Sequence, residues 1–410
     1  MKAAVVKAWG EPPEYTDFTE PSPSDGMAVA TVEASALTNL TRGLVSGNHY
    51  ASKEIHLPAI AGVDGVARLA DGRRVYNGAI APYGMMAERA LINADAATPL
   101  PDGIDPVTAA AVPNPGLSAW MSLDYAAAVK PSAHVLVLGA TGVTGSVAVQ
   151  LAKSVFGAQH VVAAGRNAER LQWLRTVGAD DVIAIGEDDL GARVAAAHAA
   201  RPFDAVLDYL WGEPAEKVLT ALGTSQLAAK FHATRFVQIG AMAGPTMNVP
   251  AGVLRSAGIT LSGMGMGSVP FEVLIGARNE GLPRLLAMVA AGELHIETKQ
   301  RPLTDVADAW SGPEPSGTRV VLTPVRRPLA EPTGDVVLRG FLRRVGEDLL
   351  GVVDLNQPAR LAGGLQVEEC RLVAHPGRLL HVVRDDHDRV VLLQLRDQVL
   401  DRQRGNRVQR

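Results

Sequence analysis

Cysteine is almost absent from this chain of 410 residues. Cys370 stands alone, so no internal disulfide and no thiolate zinc cluster can form. That scarcity fits a reducing compartment, and the cytoplasm is the expected location. A strong charge bias is also missing. A net charge of -4 and a pI near 6.2 provide no basic face for a phosphate backbone, so nucleic acid is not an expected partner. No uninterrupted apolar run approaches the roughly 18 residues that cross a bilayer. The opening Met1-Lys-Ala-Ala-Val-Val-Lys-Ala-Trp-Gly lacks a signal-peptide core, so no membrane partner is expected. With 47% hydrophobic residues the chain can instead fill large cores, and its length admits two or three domains.

Up to about residue 121 the sequence consists of short β-branched runs broken by Pro and Gly, such as Met27 to Glu33, Gly62 to Ala67 and Arg74 to Tyr76. These predict a mostly β domain. From 122 to 262 the pattern becomes apolar strands alternating with alanine-rich helices, as βαβ crossovers onto a parallel sheet require. Strands are expected at Val135 to Leu138, Val161 to Ala164, Asp181 to Ile185, Ala205 to Leu207 and Phe236 to Ile239. Helices are expected at Gly145 to Phe156 and Ala168 to Val177. The fold class is therefore α/β, with a doubly wound nucleotide-binding domain. Residues 263–324 return to short elements ending in the strand Thr318 to Thr323, and are expected to complete the first domain.

Residues 325–410 differ in kind, with 15 arginines and no lysine, against 16 arginines and 8 lysines before them. Two readings stay open here: a small appended domain, or a poorly packed, poorly ordered extension. His381 and His387, with Asp385, Asp386 and Asp388, look superficially like a metal cluster, but no metal is expected there.

The chemistry begins where a strand meets a helix, at Gly139-Ala140-Thr141-Gly142-Val143-Thr144-Gly145. Gly139 can turn tightly, Gly142 lets backbone approach a pyrophosphate, and Gly145 permits close helix packing; the helix N-terminus then attracts phosphate. At the tip of the next strand an acid would grip an adenosine ribose. The residues found are Gly165, Arg166 and Asn167, followed by Arg170. Guanidinium forks suit a 2′-phosphate, so NADPH is the expected cofactor. For Arg170 the alternative is a surface pair with Glu169 or Asp180.

The chain resembles the medium-chain dehydrogenase/reductase superfamily, in its zinc-independent quinone oxidoreductase branch. The resemblance spans Met1 to about Pro324. It is carried by Met1 to Val6, Ala36 to Gly47 leading to Tyr50, Pro82 to Glu88, Val112 to Trp120, the glycine turn, Leu174 to Asp180, and Arg319 to Pro324. It implies a GroES-like first domain with an inserted Rossmann domain. It also implies that Ser118, Gly240, Ala241 and Gly263 to Gly265 lie along the nicotinamide end of the cofactor. Zinc-dependent relatives carry a Cys in the first substrate loop and a Gly-His-Glu element; this chain has Thr38 to Thr41 and Gly62-Val-Asp-Gly65 there, so no catalytic metal is expected.

Without a Lewis acid, reduction of a quinone or enone is favoured over alcohol oxidation, with Tyr50 and Thr41 as candidate hydroxyl donors. An enoyl or alkenal double-bond reductase and a non-catalytic NADPH-binding sensor remain as alternatives, and a homodimer is the expected assembly. A short-chain dehydrogenase reading fails because Tyr125 and Lys130 have one residue too many between them.

Overall fold

The structure is a computed structural model. It describes residues 1–24, 26–79, 81–223 and 231–325, together with the strand segments 369–375, 378–384 and 390–394.

The first domain is built around the ten-residue strand β1 (Met27–Ala36), whose inward residues Ala30 and Val32 pack with Ala67, Met85 and Ile92. Helix α1 (Asn39–Val45) follows, capped by the Thr38 side chain, which accepts from the Thr41 amide. Strand β2 (Asp64–Arg68) then pairs antiparallel with β1. Helix α2 (Pro113–Met121) leads out of this domain.

The middle of the chain forms a six-stranded, wholly parallel sheet. Its strands are β3 (His134–Leu138), β4 (His160–Gly165), β5 (Asp181–Ala184), β6 (Ala205–Asp208), β7 (Ala233–Gln238) and β8 (Gly258–Gly263), in the spatial order β5-β4-β3-β6-β7-β8. Every residue of β3 is buried, because helices cover both faces. Val135 and Val137 pack in one core with α3 (Val143–Ser154) and α4 (Ala168–Val177). Leu136 and Leu138 alternate to the other core, with α5 (Leu190–Ala200) and α6 (Gly212–Leu222). The strand order reverses between β3 and β6, which opens the crevice where such sheets bind ligands. Five of these strands stand where the sequence pattern puts them. The sixth, β8, is bracketed by glycines and has a weak apolar signature.

Beyond β8, helix α7 (Leu282–Ala290) inserts Leu282, Leu285 and Leu286 into the core that holds Val135 and Val137. Then β9 (Glu297–Pro302) and β10 (Thr318–Thr323) rejoin the first domain: β10 pairs antiparallel with β1 through Val321 and Ala36, and β9 runs parallel to β10. Sequence periodicity could not show this pairing.

Residues Met1–Val325 form one compact unit and Arg326–Arg410 a second. Described in the second is an antiparallel meander of Glu369–His375, Arg378–Arg384 and Val390–Gln394. His387 and residues 385–388 lie outside the described residues. Among the described residues no helix is long and apolar enough to cross a membrane.

Because the first unit closes its own sheets and cores, a chain ending at Val325 is expected to unfold in one cooperative transition, with a Tm within about 5 °C of the full chain. Thermal unfolding of both forms checks this, and loss of the transition would make the second unit integral.

Candidate functional site

At the end of β3, Gly139 adopts φ +88, and its amide and that of Ala140 both donate to the Ala164 carbonyl at 2.9 Å. Gly142 is the N-cap of α3 and has no side-chain cap, and no acid occupies the first turn. The amides at Val143, Thr144 and Gly145 therefore end a positive helix terminus suited to an anion. α3 starts two residues earlier than expected, which places Gly145 inside its first turn. A Cβ on Gly145 would lie 2.3 Å from the Gly139 carbonyl oxygen, and one on Gly165 would lie 2.4 Å from the Thr141 methyl. The cradle would be filled by any larger residue. Thr141 is in turn fixed from the return segment, its carbonyl accepting from Ser316 Oγ at 3.1 Å.

Arg166, at the tip of β4, is exposed and makes no hydrogen bond or ion pair among the described residues. Arg170 behaves differently. Its Nη1 lies 2.8 Å from Glu297 Oε2 on β9, its guanidinium stacks 4.3 Å from the Trp173 ring centre, and it backs onto Gly317. Burial holds its pKa below the usual arginine value despite Glu297 and Glu169. Arg170 thus pairs with a carboxylate, as the alternative reading had it, but with Glu297. The first turn of α4 faces β9, which brings Glu297 rather than Glu169 or Asp180 to Arg170; Asp180 pairs with Lys153 at 2.9 Å.

At the other end of the crevice, Gly240 donates its amide to the Asp208 carbonyl at 3.1 Å, and a Cβ there would meet the Tyr209 carbonyl oxygen at 2.6 Å. Ala241 and Gly263 line an open pocket of 330 Å³ with Trp211 and Gln238. Trp211 sits at φ 56, ψ -164, a region that favours glycine. It is held there by Asp208, whose Oδ1 accepts from the Leu210 amide at 2.8 Å and the Trp211 amide at 3.0 Å. Asp208 is fully buried, its Oδ2 has no partner among the described residues, and burial pushes its pKa up to about 6. Sequence reasoning missed Asp208 and Trp211; the available signal was an acid closing the apolar run Ala205-Val-Leu-Asp208. Ser118 is half-buried on α2, and its carbonyl accepts from Ser122 Oγ at 2.7 Å.

The loop at Thr38 to Thr41 reaches this end through Asn39, whose Nδ2 lies 3.4 Å from Met242 Sδ, just past Ala241. Thr41 is buried with its Oγ1 3.0 Å from Thr38 Oγ1, and it lines a cavity of 290 Å³ in the first domain. Tyr50 is 63% exposed, stacks on His49 and is not part of that lining, so the two hydroxyl candidates do not converge on it. The zinc positions hold no soft donor. Asp64 accepts from the Tyr76 hydroxyl at 2.5 Å, and among the described residues no three His, Cys, Asp or Glu side chains converge. These residues do not fit a tetrahedral metal.

The family model described as zinc-binding dehydrogenase matches residues 143–277, which lie outside both zinc positions. A protein of Emericella nidulans described as a probable NADPH-dependent quinone reductase is 26% identical over 366 residues, 79% of this chain and all of its own length. The quinone oxidoreductase of Thermus thermophilus, solved also in complex with NADPH, superposes with a TM-score of 0.64 at 29% identity, covering 79% of this chain and 100% of that one. These matches support the medium-chain dehydrogenase/reductase superfamily for this chain. They point to its quinone oxidoreductase-like branch, and the chain shares the fold of solved quinone oxidoreductases, with GroES-like and Rossmann domains. Over 238 residues the chain is also 31% identical to a mycocerosic acid synthase-like polyketide synthase of Mycobacterium tuberculosis; the match covers 55% of the chain but 11% of the synthase.

Asp208 titrates against the fold. Its folded pKa of about 6 lies above the ordinary 3.8, so its contribution to stability is full below the ordinary value and is lost as pH rises through 6. Asp208→Asn, neutral throughout, is expected to gain about 2–3 kcal/mol relative to the parent between pH 4 and 7.5. Urea unfolding at both pH values measures this difference, and a constant gap would remove the titration from Asp208.

Proposed function

We propose that this protein is an NADPH-dependent reductase that delivers hydride to a quinone or similar conjugated carbonyl acceptor without a catalytic metal. The observation that carries the reading is the uncapped N-terminus of α3 under the glycine turn, with the unpaired cation of Arg166 at the tip of β4 and no acid beside it. The turn would hold the pyrophosphate and Arg166 the 2′-phosphate. Gly240, Ala241, Gly263 and Ser118 would flank the nicotinamide ring, the missing Cβ atoms leaving room for a flat group.

When bound, NADPH supplies the hydride. The chain's own work is orientation, exclusion of water and placement of a hydroxyl. Thr38 Oγ1 accepts the Thr41 amide hydrogen and can give its own hydrogen to Thr41 Oγ1. That arrangement leaves the Thr41 hydroxyl hydrogen free to polarise an acceptor carbonyl. Tyr50, on the solvent side, is the less well placed donor. A reduced compartment suits the single thiol, Cys370, and the cytoplasm is the proposed location.

The proposed assembly is a homodimer joined along β8, which pairs only with β7 and leaves its other edge open among the described residues. Leu254 and Phe271 are exposed on either side of it in sequence. Sedimentation of the purified protein is expected to give twice the 43.1 kDa chain mass, and a monomer at micromolar concentration would exclude this assembly.

Arg166→Ala is expected to raise the KM for NADPH by about 10-fold or more while leaving NADH within about twofold, since one charge-assisted contact is worth about 1.5–3 kcal/mol. Acceptor-dependent loss of NADPH absorbance with quinones and enones tests the activity. Product analysis then separates a hydroquinone from a saturated carbonyl compound. Equal effects on both cofactors, or tight NADPH binding with no turnover on any acceptor, would overturn the proposal.

A further inference from the structure

The end of the parallel sheet away from the glycine turn carries four histidines that the cofactor site does not use. His134 opens β3 and His160 opens β4, directly paired, with ring centres 5.5 Å apart. His198 lies in the last turn of α5 and His232 immediately precedes β7, with ring centres 6.3 Å apart. Strand alternation explains the gathering. His134 and His160 share the sheet face of Leu136 and Val162, which α5 covers.

Three of these residues grip the corner of residues 201–204, which joins α5 to β6. Phe203 is 1% exposed, in the core with Leu136, Val194 and Phe236, so its backbone polar groups need partners inside the protein. Its amide donates to His198 Nδ1 at 3.1 Å. Its carbonyl accepts from Thr234 Oγ1 at 2.7 Å and from His232 Nε2 at 3.1 Å. The His134 amide donates to Asp204 Oδ2 at 2.7 Å, and the His134 ring donates to the Arg201 carbonyl. Asp204 Oδ1 lies 3.3 Å from His232 Nε2.

These partners set the protonation states. A ring nitrogen that accepts an amide hydrogen carries no proton, so His198 is neutral while it holds Phe203. The imidazolium, with donors at both nitrogens, would leave that buried amide unpaired. Burial, and then the facing His232, hold the His198 pKa below the ordinary 6.5. Burial, and then Arg201 and His160, do the same for His134 despite Asp204. Among the described residues, the groups facing the two rings are His160 from β4, His232 from the start of β7, and Arg201 and Asp204 from the corner itself. Behind His160 stand Asp181 of β5 at 3.1 Å and, 3.8 Å from Asp181, Arg175. In acid the imidazoles and arginines outnumber the carboxylates.

We propose that the corner 201–204 is an acid-released latch, in which protonation of His198 and His134 ends the hold on Phe203 and frees the connection between α5 and β6. Each ring binds fewer protons folded than unfolded. Its contribution to stability is therefore complete above the ordinary 6.5 and is lost as pH falls from there through the lower folded value. That is opposite in sign to Asp208, at the other end of the four-residue β6. One short strand thus has an end that favours neutral pH and an end that favours acid.

The test is hydrogen exchange of the full chain by mass spectrometry at pH 7.5 and 5.0, with intrinsic exchange rates corrected for pH. Peptides spanning 198–206 are expected to lose protection at least about 10-fold at pH 5.0 relative to peptides from β3 and the glycine turn. In His198→Asn the side-chain oxygen can accept from the Phe203 amide without titrating, so the loss is expected to shrink to within about threefold. No loss in the parent, an undiminished loss in His198→Asn, or a loss shared equally by β3 and the glycine turn would sink the proposal. If His198→Asn does not fold, imidazole nitrogen NMR of the parent chain decides. An unprotonated His198 Nδ1 at pH 7.5, titrating below 6.5, supports the latch; a protonated Nδ1, or a midpoint at or above 6.5, removes it.

Discussion

The site depends on the approach of Gly145 to the carbonyl of Gly139, two backbones so close that a methyl group cannot stand between them. That contact sets α3 against β3, aims the open helix end at the crevice and leaves the first-turn amides free. Thr141 transmits the same constraint sideways, because its methyl fills the space that a side chain at Gly165 would take. The tip of β4, with Arg166, is thereby held beside the turn.

The return segment then ties this turn to the first domain. Over a few residues, Glu314 pairs with Arg42 on α1 at 3.0 Å, Ser316 donates to Thr141, and Gly317 lies against Arg170. Immediately after, the buried Arg319 donates to the Leu37 carbonyl at 2.8 Å, just before the Thr38 cap. The glycine turn and the Thr38–Thr41 loop are thus positioned by one continuous stretch of chain. A change at either end is felt at the other through hydrogen bonds rather than through a flexible linker.

Much of this was legible in the sequence, for physical reasons that can be named. The buried run His134 to Leu138 and the glycines after it can hardly be anything but a central strand entering a helix, and Ala168–Val177 is bounded by an Asn cap and Gly178. What was not legible depends on distant partners. The carboxylate that Arg170 meets is Glu297 on β9, across 127 positions. Tyr50 reads as a donor until the loop turns it to solvent. Trp211 occupies a backbone region that no propensity scale assigns to tryptophan, and only the buried Asp208 explains it. The cavity under α1 is formed by several strand ends and loops, and no local pattern announces it.

The pairing of β10 with β1 joins Val321 to Ala36, residues separated by most of the first unit. During synthesis residues 89–93 can pair with Met27–Thr31 early, but the Ser35–Ala36 end of β1 lacks β10 until the return segment has been made, whereas β3 to β8 are local and can close their sheet first. An interruption of translation between β8 and β10 would strand a folded nucleotide fold beside an open β-sheet edge, the kind of surface that recruits chaperones or other chains.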